Sequence, residues 1–143
     1  MILRAVQRGL ERLYRLRSAL DVRTYMIDGE ARDVVAPGRR TREQLLVRQA
    51  GDALELALFV DAEALANLAA HDPRHALDDG NFSDFLLLVE GVSHFLYVVF
   101  RARQERPVSP LELELQAEVD KFLVCLQIAR CARPGARPVG LGE

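Results

Sequence analysis

Apolar positions are densest at Phe85–Phe100, FLLLVEGVSHFLYVVF, a sixteen-residue run interrupted by an acid, Glu90, and an imidazole, His94. A helix that is apolar all round is covered on all sides. A carboxylate or imidazole inside such a helix needs a compensating neighbour. The run predicts a central helix starting at Asn81 or Ser83, with Asp84 in its first turn, and reaching about Gln104. Pro107 forbids further continuation, and Arg101, Arg103 and Arg106 suit the negative end of the helix dipole.

The next helix has the sharpest boundary in the chain. Ser109-Pro110-Leu111-Glu112 supplies an N-cap, a proline at the first helical position and the acidic member of a capping box. That start resolves the ambiguous alternation LELEL in favour of helix. Leu111, Leu115, Val119, Phe122, Leu126 and Ala129 then form one stripe, and the helix ends before Pro134. The short link Arg106–Ser109 makes the two helices an antiparallel hairpin.

Upstream, residues 2–20 read as an amphipathic helix. Ile2, Val6, Leu10, Leu16 and Leu20 form its apolar stripe, and Arg4, Arg8, Arg12 and Arg15 form a basic one. Val22–Ile27 and Glu30–Val35 flank Asp28-Gly29, a favoured hairpin turn, and predict two strands. Residues 36–42, APGRRTR, read as a basic loop. Gln44–Gln49 and Ala53–Val60 predict a second hairpin about Gly51-Asp52, with period-two alternation in ALELALFV. Asp61 is placed to cap a short helix over 62–70, which His71-Asp72-Pro73 ends.

These elements predict an α+β fold: an N-terminal helix and a small antiparallel β-sheet packed on a long antiparallel helical hairpin. The alternative is an all-α bundle in which 52–70 is one helix. A single domain is expected over 1–133, with a flexible tail over 134–143.

Composition alters this picture little. The net charge of −2 gives no overall attraction to nucleic acid or acidic membranes. The charges are nonetheless divided, with +5 over residues 1–48 and −7 over 49–143. Lys121 is the only lysine among nineteen basic residues, a bias that points to a GC-rich bacterial genome. The sixteen-residue run is shorter than a membrane span, and Arg4, Arg8 and Arg12 interrupt the N-terminus as no signal peptide would be interrupted. The expectation is a cytoplasmic protein with no membrane partner. Cys125 and Cys131 fit no zinc pattern and read as small hydrophobes.

Candidate chemistry centres on the hairpin. Glu90 and His94 share a helix face, as do Glu114 and Glu118, with Lys121 close by. Counting from the turn brings His94 towards Glu118 or Lys121, and Glu90 towards Val124 or Cys125. A polar network of Glu90, His94, Glu114, Glu118 and Lys121 is the bland reading. Metal ligation by Glu90, His94 and Glu118, with Glu114 as a further ligand, is a sharper one. Acid/base chemistry by Glu90 and His94 is another, with Cys125 as the better-placed nucleophile. The loop with His71, His75, Asp72, Asp78 and Asp79 matches no ligand spacing.

No phosphate loop, nucleophile elbow or zinc-protease motif occurs, and no cofactor or catalytic residue is implied. The expectation is therefore an interaction or regulatory protein, an accessory subunit that binds another protein or itself. The alternatives are a small enzyme built on Glu90 and His94, and a nucleic-acid-associated protein. The last would use Arg4, Arg8, Arg12 and Arg15 with Arg39, Arg40 and Arg42.

Overall fold

Residues 1–38 and 40–131 are described by a computed structural model. The α+β expectation holds, with a three-stranded sheet and a long helical pair. The sheet, however, is mixed rather than antiparallel, and its N-terminal part differs from the expected hairpin.

Helix α1 spans Ile2–Tyr14 and stops well before residue 20. Arg15 adopts a left-handed conformation (φ 52°), and the Leu16 amide closes on the Glu11 carbonyl at 2.9 Å. The chain then returns along α1, held by Gln7, whose side chain is fully buried. Gln7 Nε2 donates to Ser18 Oγ (3.0 Å) and to the Leu20 carbonyl (2.7 Å), and its Oε1 accepts from the Val22 amide (3.0 Å). A helix through residue 20 would forfeit those bonds, so the Leu16–Leu20 continuation of the stripe misleads.

The segment read as Val22–Ile27 and Glu30–Val35 strands is a 3₁₀ turn, Val22–Tyr25, a two-residue strand β1, Met26–Ile27, and helix α2, Gly29–Val35. Asp28 acts as an N-cap and not as a turn residue: its carboxylate accepts from the Ala31 amide at 2.8 Å. Arg32 secures α2. Its guanidinium lies 4.1 Å from the Phe59 ring centroid and donates to the Thr41 carbonyl at 2.9 Å.

Strands β2, Glu43–Ala50, and β3, Ala53–Val60, form the expected hairpin, paired from Glu43↔Val60 to Ala50↔Ala53. Gly51, at φ 61°, makes the turn. β1 joins the other edge of β3 in parallel, giving the order β1-β3-β2. Helix α3, Ala62–Ala70, follows. The Asp61 carboxylate is drawn to Arg42, which also reaches Asp84 at 2.9 Å and so ties β2 to the starts of α3 and α4.

Helix α4, Phe82–Arg103, is the hub. α1, the sheet, α3 and α5 all pack on it, and Phe85, Leu88, Val92 and Phe95 are wholly buried. Its 22 residues are long and apolar enough by composition to cross a membrane, which the sixteen-residue count did not anticipate. Here most of that apolar window is buried inside the protein. Gly91 permits close approach to the sheet: a Cβ there would lie 3.1 Å from Glu43 Cγ and 3.3 Å from Leu58 Cδ1.

Helix α5, Pro110–Cys131, returns along α4 as expected. Ser109 Oγ accepts from the Glu112 amide at 3.2 Å, and the Glu112 carboxylate turns to the Tyr97 hydroxyl at 3.0 Å. The proposed tail, 134–143, lies outside the described residues.

Candidate functional site

Two polar groups meet on α4, one on each side of its buried course. The first is built around His94. Its side chain is only 7% exposed, and Nδ1 lies 3.0 Å from Glu43 Oε1 on the first residue of β2. Nε2 faces the opposite way. It is 3.6 Å from Glu114 Oε1 on α5, beyond hydrogen-bonding reach. Among the described residues it is one of two buried polar side-chain atoms without a hydrogen-bond partner; Gln44 Oε1 is the other. Glu90 completes the group, since ligand atoms of Glu90, His94 and Glu114 all lie within 4.8 Å of one another.

The electrostatics follow from this packing. Burial raises the Glu90 carboxyl above its ordinary range despite the opposing charge of Lys121. Burial alone would lower His94, but its hydrogen bond to Glu43 and the charges of Glu43, Glu114 and Glu90 raise it overall. Lys121 behaves alike: desolvation is outweighed by Glu118, Glu90 and Glu114. Its ammonium sits 2.6 Å from Glu118 and 4.0 Å from Glu90.

The expected assignments therefore need correction. Glu118 is 67% exposed and engages Lys121, so the third acid near His94 is Glu114 instead. His94 does not approach Glu118 or Lys121, because the hairpin register lies about a helical turn from the simple count. The five-residue buried network is in fact half at the surface, Glu114 being 61% exposed. Glu43 was missed: nothing in spacing links residues 51 apart in sequence.

The second group was also missed. The Asp120 carboxylate, buried on α5, accepts hydrogen bonds from Ser93 and Tyr14 hydroxyls and from Gln116 Nε2 at 3.0 Å. Gln116 Nε2 also donates to the Tyr14 hydroxyl at 2.9 Å. These groups edge a largely apolar cavity of about 220 Å³ between α1, α4 and α5. Asp120 lies well off the Leu111–Leu126 stripe, so the pattern that marks that stripe carries no sign of its burial. The arrangement joins three helices; Ser93 is held by a carboxylate rather than activated by an imidazole. Burial raises the Cys125 thiol, which argues against a thiolate nucleophile there.

The arginine positions divide. Arg4 is turned inward to Gln7 Oε1 and the Leu20 carbonyl, and Arg42 is committed to Asp61 and Asp84. Neither is a free contact for an anion. Arg8, Arg12 and Arg15 are exposed and line one depression with Arg17. Arg40 is exposed, and Arg39 lies outside the described residues. In the loop after α3, Asp72 is clasped by Arg74 and Asp78 accepts from the Gly80 amide, so those two acids are spent on loop structure.

The α5 stripe gives the largest surprise. Leu111, Leu115, Val119, Phe122 and Leu126 are 67%, 59%, 49%, 66% and 44% exposed. The helix packs on α4 through Ala117, Asp120 and Val124 instead. No family model, curated protein or solved structure matches the chain.

Proposed function

We propose that this chain is a non-catalytic interaction protein whose docking surface is the outer face of α5, and that a second copy occupies it. The exposed α5 stripe carries this reading. Leu115, Val119, Phe122, Leu126 and Ala129 follow each other at spacings of four, three, four and three, the a/d seam of two helical heptads. An apolar seam of this length facing water marks an interaction site.

The seam favours its own copy for two reasons. It is self-complementary under a twofold axis, the commonest symmetry of soluble assemblies. Its flanks, Gln116, Glu118, Leu123, Cys125 and Arg130, hold one acid and one base, so little repels an identical helix. Pairing would convert two α4–α5 hairpins into a four-helix bundle. Both helices are already folded on their own bodies, so no helix-ordering cost opposes association. An accessory role in a bacterial cytoplasm fits the arginine bias and the lack of catalytic motifs. Nucleic-acid binding would fall to Arg8, Arg12, Arg15 and Arg40, and steeply salt-dependent binding is its test.

Sedimentation equilibrium of the full chain tests self-association. A dimer is expected at about 100 μM, a concentration that populates even micromolar complexes. Phe122→Glu should give a monomer, whereas Val34→Glu, at an exposed valine on α2, should remain dimeric. A wild-type monomer at that concentration overturns the proposal.

A further inference from the structure

We infer that His94, Glu90 and Glu114 form a binding site for a first-row divalent transition ion, with Glu43 as the residue that orients the imidazole. The site lies where the sheet meets α4 and α5, and it is independent of the outer α5 seam. Its ligand atoms come from two helices, so a bound ion would cross-link the hairpin.

His94 Nε2 is orphaned in a buried setting. The side chain is more than nine-tenths buried, and that nitrogen has no hydrogen-bond partner while facing two carboxylates. Nδ1 is held by Glu43 at 3.0 Å, so when a cation displaces the Nε2 proton, that nitrogen's lone pair faces Glu90 and Glu114. A carboxylate holding the far nitrogen of a ligating histidine is the usual outer support of such sites.

Two ligands at about 2.1 Å from one ion lie at most about 4.2 Å apart. The His94–Glu114 separation of 3.6 Å meets that limit. The remaining pairs lie within 4.8 Å, and three ligands at that radius sit about 3.4–3.6 Å apart, so closure requires up to about 1.4 Å of side-chain movement. Glu114, largely exposed, and the partly exposed Glu90 share that movement, and Glu114 gives the ion a path from solvent.

Four carboxylates, Glu43, Glu90, Glu114 and Glu118, surround one ammonium, Lys121, when the imidazole is neutral. Lys121 lies nearer Glu118 than Glu90, which leaves the inner carboxylates undercompensated. One nitrogen and two carboxylate donors suit zinc, manganese, iron or cobalt better than calcium or magnesium, which take oxygen throughout.

The test is a calorimetric titration of metal-free full chain with zinc chloride, repeated with cobalt(II) to read the visible spectrum. One zinc per chain is expected. Glu114→Gln, at a surface position that leaves packing intact, should weaken zinc binding at least tenfold. Glu43→Gln should weaken it roughly 10- to 100-fold. Glu118→Gln should bind as wild type does. Absence of saturable binding at one ion per chain overturns the site. So does unchanged binding in both Glu114→Gln and His94→Gln, which would place the ion at an exposed histidine such as His71 or His75.

Discussion

Helices α4 and α5 have equal length, 22 residues each, and lie side by side, yet they treat their apolar residues in opposite ways. α4 buries eleven of its residues beneath five neighbouring elements. α5 buries Ala117, Asp120 and Val124, while its largest apolar side chains face water. An apolar stripe thus defines a helix face without saying what covers it. On α4 the cover is the rest of the chain. On α5 the small Ala117 permits close approach to α4, Asp120 supplies hydrogen bonds, and the bulky stripe is left for another surface.

The contrast is broken most directly by truncating one phenylalanine on each helix. Phe95→Ala removes a fully buried ring that lies 5.1 Å from Tyr25, and should cost about 3–5 kcal/mol. Phe122→Ala should change the monomer by within about 0.5 kcal/mol, as surface substitutions do. Urea unfolding at low protein concentration compares the two. At higher concentration the wild-type midpoint should rise, because only the folded chain pairs, and the Phe122→Glu midpoint should not.

A smaller effect probes the inner face of α5. Asp120→Ala leaves the Ser93 hydroxyl without its acceptor in a buried setting, and should cost about 2–3 kcal/mol. A loss near zero in urea unfolding would mean that α5 is held by apolar contact alone. Gly91→Ala is smaller again. The methyl group presses on Glu43 and Leu58, and about 1–3 kcal/mol of crowding is opposed by about 1 kcal/mol of helix propensity. A net loss of about 1 kcal/mol is expected in the same assay.

The smallest signal is a titration. Partial burial of the Tyr14 phenol, with the hydrogen bond and charge of Asp120, raises its pKa well above the ordinary tyrosine value. The folded chain therefore holds that proton more tightly than the unfolded chain. The stabilisation is complete below about pH 10, the unfolded value, and is lost as pH rises above it. Phenolate absorbance should show a tyrosine that resists ionisation at pH 10–11 until the chain unfolds. Tyr14→Phe should abolish that late step.

Local chemistry was legible wherever one short segment settles its own structure. Ser109-Pro110 starts α5, and Gly51-Asp52 turns β2 into β3. Asp28-Gly29 has equally strong turn chemistry but is overridden, because the Asp28 cap and the seating of Arg32 on Phe59 favour a helix. The candidate site was legible in part. Glu90 and His94 are visible as polar intrusions in an apolar run, and Glu114 lay in the expected network. Glu43 and Asp120 carry no such mark, since each looks like an ordinary acid on an alternating or amphipathic segment. Their burial depends on what lies opposite.

The sequence by itself determined the helical hairpin, the β2–β3 pairing and the presence of a polar pair inside the most apolar helix. Those follow from hydrogen bonding and side-chain periodicity over a few residues. Tertiary structure alone decided that β1 runs parallel to β3, that α1 stops at Tyr14, and that His94 sits between Glu43 and Glu114. It also decided which face of α5 meets α4. These outcomes depend on contacts between residues far apart in the chain, whose energies no local pattern encodes.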